Sequence, residues 1–229
     1  MPLEEAPRPY YTVGLSYVGG QKFLNLALAS IEPHWKHVHV VNNTEPFVQL
    51  QDCENKWASW QEQVPVHPLT HTQTVNTLLG MASGLDAAFI MHCDAMAQYN
   101  TIDALLAMLP DLPRKWGVVF TNYDVLAMYN PKAFAAVGPW DWQNFPSYYS
   151  DNDWYRRLEL AGYSKHESGL PVEHVGSHVI NHVDKWRKFR TSFMMPMWED
   201  IYRRKWGGKP GEEIFTVPFN LPQGPYADE

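Results

Sequence analysis

What this sequence has little of narrows it first. It holds only two cysteines, Cys53 and Cys93, in 229 residues. Two thiols build no disulfide framework, and each reads as a small buried hydrophobe rather than a reactive group. No run of about 18 apolar residues occurs, so no segment is expected to span a membrane. The opening Met1-Pro-Leu-Glu-Glu-Ala is acidic and lacks the basic-then-apolar layout of a secretion signal, which makes a cytoplasmic protein the expectation. Excess positive charge is missing as well. The formal net charge is −7, which excludes a general electrostatic nucleic-acid binder while leaving room for a local basic groove. There is no internal repeat, no H-E-x-x-H and no cysteine cluster of the kind that holds zinc.

What is present points to one α/β domain. The length suits a single sizeable core. Thr12 to Val18 reads as a short buried strand, and Gly19-Gly20 as a turn. Phe23, Leu24, Ala27, Leu28 and Ile31 fall at helical spacing over Gln21 to Ile31, where Pro33 helps to end the helix. His37 to Val41 is a second strand that leads into the polar Asn42-Asn43-Thr44. Further strands are expected at Val64–His67, Ala87–Met91 and Trp116–Thr121. Helices are expected at Thr74–Ala82, at Thr101–Leu109 with an Asn100/Asp103 capping box, after Ser150, and from Asp184 to Arg204. Strands alternating with helices imply a mostly parallel central sheet covered on both faces. Ten tryptophans and twelve tyrosines serve either core packing or stacking on sugar rings and bases, and composition does not choose between these.

In open parallel sheets, ligands bind beyond the carboxyl ends of the strands. That rule selects the loop from Ser16 to Gly20, Asn42-Asn43, and above all Asp94, at the mouth of the apolar strand ending in His92-Cys93. A carboxylate there needs solvent, a partner or a cation; a helix-cap or turn role is the plainer alternative. Ser150-Asp151-Asn152-Asp153 opens a helix. Ser150 as N-cap with Asp153 three residues on forms a capping box, which leaves Asp151 either to favour the helix dipole or to act as a general base. His174, His178 and His182 are ligands or hydrogen-bonded structural histidines. The basic run Arg187, Lys188, Arg190, Arg203, Arg204 and Lys205 is a solvated helix face or a source of cations for a diphosphate leaving group. Within it, Lys205-Trp-Gly-Gly208 fits a closing loop.

Taken together these segments resemble the inverting glycosyltransferase family 2 with the GT-A fold. The match runs through Phe89 to Gln98, Asn130 to Asp141, Ser150-Asp-Asn-Asp153 with Arg157-Leu158 and Ala161-Gly-Tyr163, and Glu173 to Ser177. It covers most of residues 12–180 in the family's order. The resemblance implies a nucleotide-sugar donor and an acceptor glycan or other hydroxyl-bearing molecule, a nucleic-acid base among them. It also implies Mn or Mg held by Asp94 with His174 or His178, and Asp151 as base. Ser16, Tyr17, Asn42 and Asn76 would line the nucleotide pocket, with His92 and Lys205 among the donor contacts. It divides the single domain into a nucleotide-sugar half (12–110), an acceptor and catalytic half (111–183) and a C-terminal helix and tail (184–229). Two departures stand out: the Asp-x-Asp signature is reduced to His92-Cys93-Asp94, and Asn42 stands where many relatives carry aspartate. A non-catalytic nucleotide-sugar- or carbohydrate-binding module and a metal-dependent hydrolase are the competing readings.

Overall fold

A computed structural model describes residues 9–44, 48–50, 61–175 and 185–221. Buried strands flanked by amphipathic helices build it. In chain order these are β1 (Tyr11–Tyr17), α1 (Gln21–Ser30), β2 (Val38–Asn42), β3 (Gln61–Gln63), α2 (His71–Met81), β4 (Ala87–His92), β5 (Ala95–Ala97), α3 (Thr101–Ala107), β6 (Trp116–Thr121), β7 (Tyr123–Tyr129), α4 (Pro131–Val137), α5 (Ser150–Leu160), β8 (Ser164–Glu167), β9 (Val172–His174) and α6 (Lys185–Trp206). Seven strands form one sheet in the order β3-β2-β1-β4-β7-β6-β8, and β5 pairs with β9 in a small separate ribbon. Every pairing in the large sheet is parallel except those of β7, which runs against both β4 and β6. The mostly parallel α/β sheet expected from the sequence is the one found.

The two faces of the sheet carry separate cores. Val13, Leu15 and Tyr17 alternate onto the α1 side with Phe89 and Met91; Ile90, Val118, Phe120 and Tyr129 face α2 and α5 on the other. Two glycines let the helices approach. A methyl group on Gly14 would lie 2.9 Å from Leu78, and one on Gly117 would lie 2.5 Å from Leu158, so α2 and α5 sit closer to the strands than any larger residue would permit.

The structure departs from the local reading at several places. The third strand lies at Gln61–Gln63 rather than Val64–His67, and Val66 is exposed. Helix α2 starts three residues earlier than expected, on a Thr70/Gln73 capping box. Asn100 adopts a left-handed conformation without capping α3 through its side chain, and Asp103 instead faces His34. The Ser150/Asp153 capping box is likewise absent. Tyr149, at φ 67°, precedes α5, and Ser150 Oγ donates back to the Ser147 carbonyl.

Asp153 is fully buried and spends both oxygens elsewhere. It accepts from Arg157 Nε at 2.9 Å and from Trp206 Nε1 at 3.0 Å, and it pairs with Lys205 Nζ at 2.7 Å. Lys205 also reaches Asp141 at 2.7 Å. This cluster ties α5 to the end of α6, beside a third core of Phe145, Trp198, Tyr202 and Trp206. Gly207, at φ 78°, donates to the Arg203 carbonyl, so the glycine pair ends α6 within two residues of the boundary expected from sequence. Replacing Lys205 with methionine strands two inward carboxylates; a loss of about 3–5 kcal/mol is expected, read as a lowered urea midpoint at unchanged slope.

Candidate functional site

A cavity of about 430 Å³ opens at the carboxyl edge of the sheet. Strand direction explains what lines it. Strands β1 and β4 end there, and the register pairs Ser16 with His92, which sets these two side by side on the wall. Strand β7 runs the opposite way and therefore begins at the same edge, which delivers Tyr123 and Asp124. The ribbon of β5 and β9 pairs Ala95 with His174, and the Val175 N–H donates to the Asp94 carbonyl at 3.1 Å. His174 is thereby carried back to Asp94. Finally the first turn of α5 brings Asp151 and Asn152 to the opposite rim.

His92, Asp94 and His174 form the first chemical group. Each offers a ligand atom within 4.8 Å of the other two, and His174 Nε2 lies 3.3 Å from Asp94 Oδ1. Burial, followed by the neighbouring His174, pushes the His92 imidazole down to about 4, which leaves it neutral with a lone pair to give. The hydrogen bond that the His174 ring donates to the Asp94 carboxylate raises His174. Two imidazoles and one carboxylate suit a borderline divalent ion such as Mn, Fe or Zn better than Mg, which favours oxygen throughout. Three protein ligands leave coordination positions for substrate oxygens.

The second group is a pair of carboxyls, Asp151 and Asp124. Burial raises both to about 6, and for Asp151 the charge of Asp124 adds to the shift. Tyr123 Oη donates to Asp151 Oδ2 at 2.9 Å and accepts from Asn152 Nδ2 at 3.1 Å. Tyr123 achieves this at φ 51°, a left-handed conformation unusual for an aromatic residue, next to a register irregularity in the β6–β7 pairing. Its ring stacks on Phe120, and this packing holds the strained turn. The inner wall is apolar, formed by Val75, Leu78, Ile90 and Trp140. The Trp140 indole N–H is buried there and finds no acceptor among the described residues.

Of the residues singled out from sequence, Ser16, His92, Asp94, Asp151 and His174 meet on this cavity. Among the described residues, Tyr17, Asn42, Asn76 and Lys205 do not line it. Tyr17 alternates into the core on the far face. Asn42 spends its amide on the Val48 carbonyl and Glu62, and its oxygen receives Thr44. Asn76 exchanges two hydrogen bonds with the Trp140 backbone, and Lys205 is locked between Asp141 and Asp153. Arg203 and Arg204 pair along the helix with Glu199 and Asp200. His178, His182 and Cys53 lie outside the described residues. Asp124, Tyr123 and Trp140 are additions. The unbroken apolar run Val125-Leu-Ala-Met-Tyr129 after Asp124 was the available signal, because it marks a buried strand with a carboxylate at its end.

No protein-family model matches the chain, and no curated protein matches it in sequence. Solved structures do. The mannosyltransferase PcManGT from Pyrobaculum calidifontis, in complex with GDP-Man and Mn2+, superposes with a TM-score of 0.51 at 14% identity, over 86% of this chain and 71% of that one. GalNAc-T7 with UDP, GalNAc and Mn2+ gives 0.55 at 9% identity, over 86% and 51%. TarS from S. aureus gives 0.54 at 11% identity, over 84% and 43%. The chain thus spans less than two thirds of the last two proteins. At such identities the likeness establishes the fold, and that fold is the GT-A-like one the sequence resembled.

The raised carboxyls make a prediction about stability. A folded-state value near 6 against about 3.9 in the unfolded chain means that the native state holds more protons across that window. Stability is therefore lost as pH rises from about 4 to 6. Asp124→Asn should be more stable than the parent at pH 7, with the difference closing towards pH 4 in urea titrations. In the same variant the Asp151 titration, followed by carboxyl 13C NMR, should move down; in Tyr123→Phe it should move up.

Proposed function

We propose that this chain is a divalent-metal-dependent glycosyltransferase, working in the cytoplasm, that moves a sugar from a nucleoside-diphosphate sugar to an acceptor hydroxyl with inversion. One observation carries the reading. On a GT-A-like sheet, a carboxylate at the start of α5 lines the same cavity as a His–Asp–His group able to hold a cation. The donor structures of similar fold, PcManGT with GDP-Man and Mn2+ and GalNAc-T7 with UDP and Mn2+, support the donor class.

His92, Asp94 and His174 would hold the metal, which when bound supplies positive charge against the diphosphate. Ser16 stands beside them at the end of β1 for a donor oxygen. Across the cavity Asp151 takes the proton of the acceptor hydroxyl. As that oxygen bonds to the anomeric carbon, the bond from this carbon to the diphosphate oxygen breaks, and attack from the face opposite the leaving group gives inversion. Tyr123, kept protonated by burial and the adjacent Asp151, and Asn152 fix the orientation of the base. A value near 6 for Asp151 leaves it ionised at neutral pH yet basic enough to accept a proton. The apolar inner wall of Val75, Leu78, Ile90 and Trp140 favours an acceptor or sugar with one hydrophobic face.

The donor set also favours a second reading, a metal-dependent hydrolase, since two histidines and a carboxylate suit zinc. Turnover of a panel of nucleotide sugars with Mn, with and without glycan, lipid-linked and nucleic-acid acceptors, separates the two. Asp151→Asn should lower transfer about 10²–10⁴-fold while donor binding by calorimetry is retained, and Asp94→Ala should abolish the response to Mn. Undiminished transfer in Asp151→Asn overturns the role of the base. Donor binding with no turnover on any acceptor indicates a binding module, and co-purified zinc with no nucleotide affinity indicates the hydrolase.

A further inference from the structure

Helix α6 is apolar on two opposite sides. Trp198, Tyr202 and Trp206, spaced by four, pack into the third core. On the other side Phe189, Phe193 and Met197 repeat at the same spacing and stand 60%, 74% and 45% exposed. The two phenyl rings lie nearly parallel, 6.4 Å apart, and make one continuous apolar ridge. Such a ridge on a surface helix marks a contact with something less polar than water.

The charge beside the ridge says what that is. From Lys185 to Trp198 the sequence carries four cations, Lys185, Arg187, Lys188 and Arg190, and no carboxylate, within a chain of net charge −7. Lys188 and Arg190 are exposed next to Phe189. The first carboxylates of the helix, Glu199 and Asp200, are taken up by Arg203 and Arg204. Positive charge is therefore concentrated at the end where the aromatic ridge stands. Nucleic acid would use the cations but would leave Met197 and the outer edges of the rings in water. An interface offering anionic headgroups above hydrocarbon satisfies both sets of groups at once.

We infer that the face of α6 formed by Phe189, Phe193 and Met197 with Lys188 and Arg190 docks this protein onto an anionic lipid surface. The helix lies along the interface without crossing it, in keeping with the absence of any membrane-spanning helix among the described residues. Thr191, on the side of the helix opposite the ridge, lines the central cavity, so docking sets the cavity one helix diameter, roughly 10 Å, from the headgroups. That the acceptor is then membrane-borne rests on the transferase reading; docking itself does not, and the two can fail separately.

Co-sedimentation of the full chain with vesicles tests the docking. Vesicles of phosphatidylcholine with about one third phosphatidylserine should bind the protein, neutral phosphatidylcholine vesicles far less, and raised salt should release it. Phe193→Glu and Lys188→Glu should each weaken binding at least about tenfold with an unchanged melting temperature, because both side chains point into solvent. Ile214→Glu, another exposed apolar position, serves as the control and should bind as the parent does. Equal binding to both vesicle types, or no loss in Phe193→Glu, overturns the inference. So does a parent chain that sediments as a dimer and becomes monomeric in Phe193→Glu, which would make a second copy the occupant. Preferential capture by single-stranded DNA over anionic vesicles overturns it in favour of nucleic acid.

Discussion

A carboxylate without access to water must be satisfied from within, and Asp153 is the place where this chain meets that demand most completely. Its two oxygens take a guanidinium, an ammonium and an indole N–H. Those partners come from α5 itself and from the far end of α6, so the requirement to neutralise one charge dictates how the two helices meet. Lys205 extends the constraint to Asp141 on the loop before α5. The position of Asp151, two residues from Asp153 on the first turn, follows from this. So does the path of α6, whose Thr191 reaches the cavity. Buried ion clusters of this kind add little net stability over an apolar substitute but penalise any alternative arrangement strongly.

The cavity depends on a second constraint, the direction of β7. One antiparallel strand in an otherwise parallel sheet starts where its neighbours finish. Its opening residues join the strand ends of β1 and β4 without any long connection. The outcome is a division of labour across one opening. Two imidazoles gather with Asp94, one of them held neutral by burial, and two carboxyls whose proton affinity is raised by burial line the same opening. Opposite protonation preferences within a single cavity are what acid–base chemistry near neutral pH requires.

Much of this was legible in the sequence, and the limits are instructive. Asp94, His174 and Asp151 could be found because each sits where a buried strand or helix meets an edge, and a charge there stands out against its neighbours. Asn42, Asn76 and Lys205 looked equally available. For two of them the partner lies 64 residues away: Asn76 binds the backbone of Trp140, and Lys205 binds Asp141. Local pattern carries no trace of such pairings. The same blindness produced the capping box at Ser150 and Asp153. The spacing fits the rule, but tertiary charge neutralisation outweighs a cap worth about 1 kcal/mol. Asp124 was missed because the reversal of β7 leaves no mark on a continuous apolar run, which has no sense of direction.

Pro196 lies inside α6. It has no N–H to offer the carbonyl of Ser192, so the hydrogen-bond ladder is interrupted between the ridge of Phe189 and Phe193 and the anchored turns from Trp198 onward. Mechanically the helix is two rods joined at a softened collar. A load applied to the front rod bends the collar before it reaches the charge cluster around Asp153. Because Thr191 on the front rod lines the cavity, a tilt at the collar would reshape that edge of the cavity while the rear rod keeps the charge cluster around Asp153 in place.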